Sequence, residues 1–329
     1  MDQVKITKRP KLKNAYMIVA WPGMGEVAFK AASHLVDQLK AQEFAVIPSE
    51  GYFYLTGSIV QKGILSAPIL PESKFYFWKN PAARRSKKTD IGDLVIFLSN
   101  SQPDLNKAQE YSQAILKVAK TFNVRMVIGF AAMPLPVEHN HDPQVWFAAT
   151  SEELNKELKR FELNILTEGQ ISGMNGLFLG IAKKSGLNGF CLLGEIPLYT
   201  IQIENPKAAS AVLSVLAKIL NVNIDLARLK EQSDNLDNEI NKLLEYLKVG
   251  SQIAGPISDA DIETIKKSLS QLTKLPVSVK ETIEKLFLQA ESDIAKAGEL
   301  KRELDKWNVY KEYEDRFLDL FKKSREKNN

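Results

Sequence analysis

Two hydrophobic patterns alternate along the chain from Tyr16 to Leu220. Short apolar runs are typical of buried strands, and apolar residues that recur every three or four positions are typical of helices with one buried face. Strand, helix and strand at this spacing predict βαβ crossovers, and therefore a single α/β sandwich with a mixed sheet. Strands are predicted at 16–21, 43–48, 93–100, 124–133, 144–150 and 190–196, and helices at 27–39, 104–121, 151–161, 176–186 and 206–220.

Local sequence signals refine these elements. Residues 52–65 and 74–79 are aromatic and β-branched with glycine punctuation, which predicts hairpin-like antiparallel strands. Ser151 has the hydroxyl of a helix N-cap, and Pro206 occupies the first helical position that proline prefers.

The composition changes beyond residue 224. An apolar seam with one serine predicts a coiled-coil helix over 225–249. A linker at 250–256 and capping boxes at Ser258/Asp261 and Ser278/Glu281 then predict a helical extension over 257–329. This charged region is either an interaction device or a cover for a sheet edge, and the pattern leaves both readings open. We therefore divide the chain into 1–224, 225–249 and 257–329. The seam consists of Leu226, Leu229, Ser233, Leu236, Ile240, Leu243 and Leu247.

Composition narrows the functional classes. Of 329 residues, 44% are apolar and 26% are charged, as in ordinary globular proteins, and a net charge of +4 on a mixed surface gives little support for nucleic-acid binding. No apolar run approaches the ~20 residues of a membrane span, and the start of the chain lacks the apolar core of a signal peptide, so we expect a cytoplasmic protein. Cys191 is the only cysteine, which excludes an intrachain disulfide and cysteine-based zinc sites. Its apolar surroundings favour a core position over a nucleophile.

The segment Pro22-Gly-Met-Gly25 joins the first long strand to an amphipathic helix, as phosphate-binding turns do. It lacks the lysine and hydroxyl residue of a Walker A motif. Its glycines and Ala28 match the permissive dinucleotide pattern, with Glu43 at the distance of the ribose-binding acid. Glu26 in the first helical turn would repel a pyrophosphate, which favours a packing role for the glycines.

Ser172-Gly-Met-Asn-Gly176 is a second glycine-bearing helix start. Two such turns at the carboxyl ends of strands in one sheet can flank a shared pocket. We therefore regard this pocket as the candidate ligand site and assign no catalytic residue, cofactor or metal. The candidate ligand-binding residues are Pro22, Gly23, Met24, Gly25, Gly173, Asn175 and Gly176.

Three polar features have competing interpretations. The Glu138-His-Asn-His-Asp142 segment could hold a metal from a loop, but the prolines around it and the absence of a helical His-x-x-x-His spacing favour a surface loop. The basic run from Ala83 to Lys88 could meet an acidic partner, and a solvated loop is the default interpretation. His34 lies among apolar residues of the first helix, which favours a boundary position over a catalytic base.

Several segments carry distinctive motifs, namely WPGMGEVAFKAASHL, the aromatic strand at Phe75, LVIFLSNSQPD, SGMNGLFLGIAKKSG and EIPLYTIQIENPKAASAVLSVLAKILN. Taken together over residues 14–248, they resemble the proteasome assembly chaperone 2 family. The opening signature of that family is Phe/Trp-Pro-Gly-Met-Gly-Asn-Val-Gly, and a later one is Pro-Xaa-Tyr followed by Asn-Pro-Lys-Ala. The heptad region is also similar to the family's trailing helix.

The resemblance implies a phosphorylase-like three-layer sandwich, a homo-oligomer and no established catalysis. Relatives act as chaperones on proteasome α-subunits, and some archaeal ones dock through a C-terminal hydrophobic-Tyr-Xaa tail. This sequence departs from the pattern, because Glu26 and Ala28 replace the signature Asn and Gly, and Arg325–Asn329 has no penultimate tyrosine.

The sequence therefore predicts a non-enzymatic protein-binding protein of the assembly-chaperone kind, possible partners being proteasome α-subunits. Leu229, Leu236 and Leu243 on the heptad helix are the candidate partner-binding residues. The alternative is a protein or enzyme that binds a nucleotide or nucleoside between the glycine turns at 22–28 and 172–176.

Overall fold

The computed structural model describes residues 4–53, 59–61, 63–66, 70–85, 92–161, 163–250, 277–306 and 309–326. The strands are β1 (Lys5–Ile6), β2 (Tyr16–Ala20), β3 (Gln42–Ile47), β4 (Ile59–Gln61), β5 (Ile64–Ser66), β6 (Ser73–Trp78), β7 (Leu94–Ser99), β8 (Met126–Leu135), β9 (Val145–Ala149), β10 (Asn164–Ile165) and β11 (Gly189–Pro197). The α-helices are α1 (Val27–Gln38), α2 (Pro81–Arg85), α3 (Ala108–Thr121), α4 (Glu152–Leu158), α5 (Met174–Lys184), α6 (Pro206–Leu220), α7 (Ala227–Gly250), α8 (Val277–Ser292), α9 (Ala297–Lys306) and α10 (Tyr310–Glu326).

The main sheet of the described residues has nine strands in the order β1-β3-β6-β7-β2-β8-β11-β9-β10. Its centre is parallel, because β2 pairs in parallel with β7 and β8, and β8 pairs in parallel with β11. Antiparallel pairs flank this centre on both sides, at β6 with β7 and at β9 with β11. The predicted mixed sheet is confirmed, and the carboxyl ends of β7, β2, β8 and β11 point to one edge.

Helices cover both faces of the sheet. Helices α1 and α6 pack together over β8 and β11, and α3 and α5 pack together on the other face. Alternate side chains of β2 bury on the α3/α5 side, where Trp21 lies 5.2 Å from Phe97 and 5.7 Å from Phe178 between ring centroids. The three-layer α/β sandwich is therefore confirmed, with Cys191 fully buried in this core.

Most predicted elements are confirmed within a few residues. Ser151 accepts a hydrogen bond from the backbone N–H of Leu154 as an N-cap, and Pro206 begins α6. The hairpin-like antiparallel strands predicted within residues 52–65 are confirmed by β4 and β5, which pair with each other as a separate antiparallel hairpin. The predicted span starts too early, because residues 51–53 form a turn, and 54–58 lie outside the described part.

The chain divides into two compact units. One consists of Met1–Pro197 and Glu204–Asn238, and the other of Leu198–Ile203 and Glu239–Asn329. The three-part division made from the sequence stays a prediction. Its heptad segment corresponds to α7, whereas residues 251–276, with most of the predicted linker and the Ser258/Asp261 capping box, lie outside the described residues. Ser278 and Glu281 fall in the first described turn of α8.

The second unit has a core of its own, built by α8, α9 and α10. The core forms because each helix places apolar residues at intervals of three and four on one face. Arg316 joins two of these helices through a two-pronged ion pair with Glu284, at 2.7 Å for each N···O contact, and its guanidinium lies 4.1 Å from the centroid of the Phe287 ring. The buried residues are Ile283, Leu286, Phe287, Ala290, Ala297, Leu300, Leu304, Val309, Phe317 and Leu320.

None of the described helices is long and apolar enough to cross a bilayer.

Candidate functional site

The two glycine turns meet at the carboxyl edge of the parallel strands. The side-chain amide of Asn175, in the first turn of α5, accepts a hydrogen bond from Trp21 N–H and donates one to Trp21 C=O, both at 3.0 Å. Asn175 is buried, so its amide finds in this backbone the partners that water would otherwise supply. The structure thus brings together the end of β2 and the start of α5, as the sequence predicts.

Gln102, which follows β7, makes a second bridge between the turns. Its Nε2 donates to Pro22 C=O at 2.6 Å, and its Oε1 accepts from the backbone N–H of Met174 at 3.0 Å. Gln102 therefore accepts a hydrogen bond from a backbone N–H at the start of α5 that could otherwise bind an anion.

The second turn has no room for larger residues. A Cβ at Gly176 would lie 2.1 Å from the carbonyl oxygen of Ile171, and Gly173 has a φ of +69° with Gln102 atoms 3.2 Å from its would-be Cβ. A Cβ at Gly23 would likewise lie 3.3 Å from Asn175 Nδ2. These glycines are required by close packing, because each lets a backbone or side chain approach where a methyl group would be.

The first turn winds in the left-handed region for two consecutive residues, Gly25 at φ +59° and Glu26 at φ +50°. Gly25 C=O accepts a hydrogen bond from the backbone N–H of Asn205 at 2.7 Å, and Asn205 Oδ1 in turn caps α6 by accepting from Ala208 N–H at 2.9 Å. The two most specific motifs of the sequence, Pro-Gly-Met-Gly and Asn-Pro-Lys-Ala, are therefore joined by one hydrogen bond.

Glu26 carries an unusual charge environment for a turn residue. The pKa of Glu26 is raised to about 7, first by burial and then by repulsion from Glu204, although a backbone hydrogen bond from Gly23 and the charge of Lys30 act to lower it. Lys30 itself pairs with Glu204 at 2.5 Å. A carboxyl group that engages the Gly23 amide holds the position that a phosphate would need.

The dinucleotide interpretation also fails on topology. Glu43 lies on β3, which is separated from β2 by β6 and β7. Its carboxylate lies 3.8 Å from Lys74 on β6. In a dinucleotide-binding fold the acidic residue follows the strand adjacent to the glycine turn, so Glu43 is misplaced for that role. Met24 and Pro22 remain partly exposed beside the turn.

The histidine segment is organised around a buried carboxylate. Glu195 on β11 accepts hydrogen bonds from Trp146 Nε1 at 2.8 Å and from the backbone N–H of Gln144 at 3.0 Å, and His141 Nε2 lies 3.3 Å from it. Among the described residues, no group of three or more His, Cys, Asp or Glu side chains is placed to hold a metal ion. Residues 136–144 form a loop between β8 and β9.

The remaining polar candidates are structural as well. His34 is buried, and its Nε2 lies 2.6 Å from the carbonyl oxygen of Asp225, which ties α1 to the chain before α7. Residues 83–85 of the basic run belong to α2 rather than to a loop, and the rest of that run lies outside the described residues.

Helix α7 carries the candidate partner-binding leucines. Leu229 is only 2% exposed, Leu236 is half-buried, and the side chain of Leu243 lies outside the described residues. Lys207 on α6 donates to Asp237 Oδ2 on α7 at 2.5 Å and to His139 C=O at 2.8 Å.

Sequence reasoning missed the residues that join these parts, namely Gln102, Glu195, Asn205 and Lys207. Asn205 could have been found in the Asn-Pro-Lys-Ala motif, since an asparagine before a proline at a helix start is a capping signal. Lys207 lies in the same motif but carries no local signal of its partners. Gln102 and Glu195 gave no comparable signal, because their partners lie up to 80 positions away in the sequence.

The sequence and the fold of this chain are similar to those of several known proteins. A model described as the PAC2 family matches residues 17–244. An uncharacterized protein of Methanocaldococcus jannaschii is 30% identical over 280 residues, which are 80% of this chain and 99% of that protein. Residues after 244 lie beyond the span of the family model.

Two solved structures from Pyrococcus furiosus are similar over almost their whole length. PbaB, described as an archaeal proteasome activator, is 29% identical with a TM-score of 0.62 and covers 74% of this chain and 99% of its own. PbaA, described as an archaeal homolog of proteasome-assembly chaperone, is 26% identical with a TM-score of 0.56 and covers 80% and 98% respectively.

Proposed function

The chain belongs to the PAC2 family, and on this premise we propose that it is a protein-binding protein with a chaperone-like role that acts on proteasome α-subunits. The observation that carries the proposal is the likeness to PbaA and PbaB at 26–29% identity over nearly the full length of both. Those two proteins are described in terms of proteasome assembly and activation, which are both protein-binding roles.

The geometry of the glycine turns supports a structural rather than a ligand-binding role for Pro22–Gly25 and Gly173–Gly176. Asn175 and Gln102 use their amide groups to join the turns to each other, and Glu26 engages the Gly23 amide. Polar groups that satisfy one another in this way would have to be released before a nucleotide phosphate could bind. Binding of a nucleotide or nucleoside by Pro22–Gly25 and Gly173–Gly176 is therefore the weaker candidate.

We place the partner surface on α7, around Leu236 and Leu243, in a homo-oligomer. The buried Leu229 supports this surface by holding the helix to the α/β unit. A helix that presents an apolar strip is a common mode of protein recognition, because side chains at intervals of three and four fit one groove.

The test is direct binding between the purified chain and separately purified proteasome α- and β-subunits from the same source organism, followed by native mass spectrometry. Binding to free α-subunits but not to β-subunits is the expected result. Absence of any complex with α-subunits, either free or in rings, would overturn the proposal. The same spectra give the oligomer number, and a purely monomeric chain would contradict the homo-oligomer.

Matched variants locate the surface. Leu236→Glu should weaken the complex with α-subunits at least tenfold, because burial of a carboxylate in a desolvated contact costs roughly 2 kcal/mol or more. Asn235→Glu is the control, since Asn235 is exposed on the same helix. Equal binding by the two variants would remove α7 from the interface without removing the partner.

A second candidate function is activation of the assembled proteasome, which is favoured by the likeness to PbaB. Peptide hydrolysis by assembled particles, measured with and without the chain, separates the two roles. Faster hydrolysis indicates an activator, whereas binding only to unassembled α-subunits indicates an assembly chaperone.

A further inference from the structure

The first half of α7 is fastened to the α/β unit at three levels. Before the helix, His34 Nε2 contacts Asp225 C=O at 2.6 Å, and Asp225 Oδ1 accepts from Ala227 N–H at 2.9 Å, as a capping group does. Within the helix, Leu229 and Ser233 are buried. These contacts fix the beginning of α7, but they do not reach its middle.

Lys207 supplies the third level. Its ammonium group donates to Asp237 at 2.5 Å, and both side chains are only about a fifth exposed, at 21% and 22%. Asp237 is the last residue but one of α7 that belongs to the first compact unit, since Glu239 begins the second. The ion pair is therefore located at the point where the helix leaves the α/β unit.

The position of Lys207 is unfavourable for a lysine by local criteria. It follows Pro206 in the first turn of α6, where the positive end of the helix dipole disfavours a cation. Its contacts with Asp237 and with the carbonyl of His139 offset this cost. A residue that is locally unfavourable and satisfied only by distant partners indicates a tertiary role.

Both supports of Lys207 are themselves rigid. Asn205 caps the start of α6 and is hydrogen-bonded to the turn at Gly25. The loop that contains His139 is fixed by the buried Glu195, which accepts hydrogen bonds from Gln144 N–H and Trp146 Nε1. The backbone of Lys207 is thus held at the capped start of α6, and its ammonium group is held by the carbonyl of His139, from where it contacts Asp237 on α7.

We propose that Lys207 is a positioning residue that fixes the middle of α7 through Asp237 and thereby sets how Leu236 is presented to a partner. The presentation of Leu236 to a partner rests on the proposed function, whereas the fixing of α7 does not. Loss of either charge releases the helix around Leu236, while the beginning of α7 stays fastened at Asp225, Leu229 and Ser233.

The test is hydrogen exchange of the full chain, read by mass spectrometry on peptides from α7, for Lys207→Met, Asp237→Asn and the double variant. Methionine keeps the aliphatic stem and removes the charge. Each single variant should speed exchange at 235–240 about three- to tenfold, and the double variant should add little, because both remove one interaction. Lys218→Met on α6 and Asp234→Asn on α7 are exposed controls that should leave exchange unchanged.

The outcomes separate the two hypotheses. Unchanged exchange in Lys207→Met, or fully additive effects in the double variant, overturns the positioning role whatever the partner. Faster exchange together with weaker binding to α-subunits supports both hypotheses. Faster exchange with unchanged binding leaves Lys207 as the residue that fixes α7 and removes its effect on the partner surface.

Discussion

The side chain of Asn175 closes two hydrogen bonds, each of 3.0 Å, on the backbone of Trp21, which lies 154 positions earlier in the sequence. Both groups are buried, so neither can replace its partner with bulk water. The contact joins the strand end before the first glycine turn to the helix that follows the second one. It is therefore the central link between the two turns.

Replacement of Asn175 by alanine should lower the free energy of unfolding by about 2–4 kcal/mol, because it leaves a buried N–H and a buried C=O of Trp21 without this partner. Urea unfolding monitored by tryptophan fluorescence measures the change. Asn106→Ala, at an exposed position, should stay within about 0.5 kcal/mol of the parent. Similar losses in both variants would show that the link is unimportant.

Two glycines of α5 should respond in opposite directions to alanine. A Cβ at Gly176 would lie 2.1 Å from Ile171 C=O, so Gly176→Ala should destabilise the fold by several kcal/mol, roughly 3 or more, or prevent folding. Gly180 has no atom within 4 Å of its would-be Cβ, and Gly180→Ala should stabilise by about 0.5–1 kcal/mol. The melting temperatures of the two variants measure the direction of each change in stability. A Gly176→Ala variant as stable as the parent would contradict the packing at Ile171.

Glu26 predicts a dependence of stability on pH. Burial and repulsion by Glu204 raise its pKa from 4.5 to about 7 in the folded chain. The folded state therefore holds this proton more tightly than the unfolded chain, so the contribution of Glu26 to stability falls as the pH rises from 4.5 through about 7. Because Glu26 is partly exposed, we expect a total loss of about 1–2 kcal/mol.

The glutamine variant isolates this effect. Glu26→Gln keeps the size of the side chain and has no titrating group, so its advantage over the parent should grow between pH 5 and pH 8. Urea midpoints at both pH values measure the difference. A constant difference across this range would show that the carboxyl of Glu26 titrates below it.

The C-terminal helical unit should lose its packing when Phe287 is removed. Phe287 is fully buried beneath the Arg316 guanidinium, and Phe287→Ala should cost this unit about 3–5 kcal/mol. Hydrogen exchange should then accelerate in α8, α9 and α10. Leu288→Ala, at a neighbouring position that is 64% exposed, is the control and should have little effect. Comparable acceleration by both variants would contradict the assigned core.

Cys191 should react with thiol reagents only when the chain unfolds. Its side chain is fully buried between strands, and burial raises the pKa of the thiol, so the reactive thiolate is scarce in the folded state. Labelling of the native protein should be much slower than labelling in denaturant. Rapid labelling under native conditions would show that β11 opens locally.

Sequence periodicity accounts well for the secondary structure. The apolar run at 16–21 and the helical spacing from Val27 are local signals, and β2 and α1 follow them within a residue or two. Caps are local as well, so Ser151 and Pro206 were predictable from their own neighbourhoods. The predicted span of antiparallel strands at 52–65 starts too early, because an aromatic composition is also compatible with a turn whose rings pack on the core. Tyr52 does so, with its ring 5.1 Å from that of Tyr111 between centroids.

The family also followed from sequence, because its motifs are short and specific, but the partners of those motifs did not. The turn at Pro22–Gly25 has the outline of a phosphate-binding turn, and Glu26 already favoured a packing role for its glycines. The structure adds the side-chain amides of Asn175 and Gln102, which bind the backbone of Trp21 and Pro22. The lysine of the Asn-Pro-Lys-Ala motif had no visible role until α7 placed Asp237 beside it.

The sequence by itself determined most of the longer strands and helices, where several of them begin, and to which family the chain belongs. These properties depend on residues within a few positions of one another, whose spacing can be read directly from the sequence. Only the tertiary structure decided the strand order, the pairing of Asn175 with Trp21 and the ion pair of Lys207 with Asp237. Such contacts depend on how distant segments are brought together, and the residue types alone are compatible with many partners.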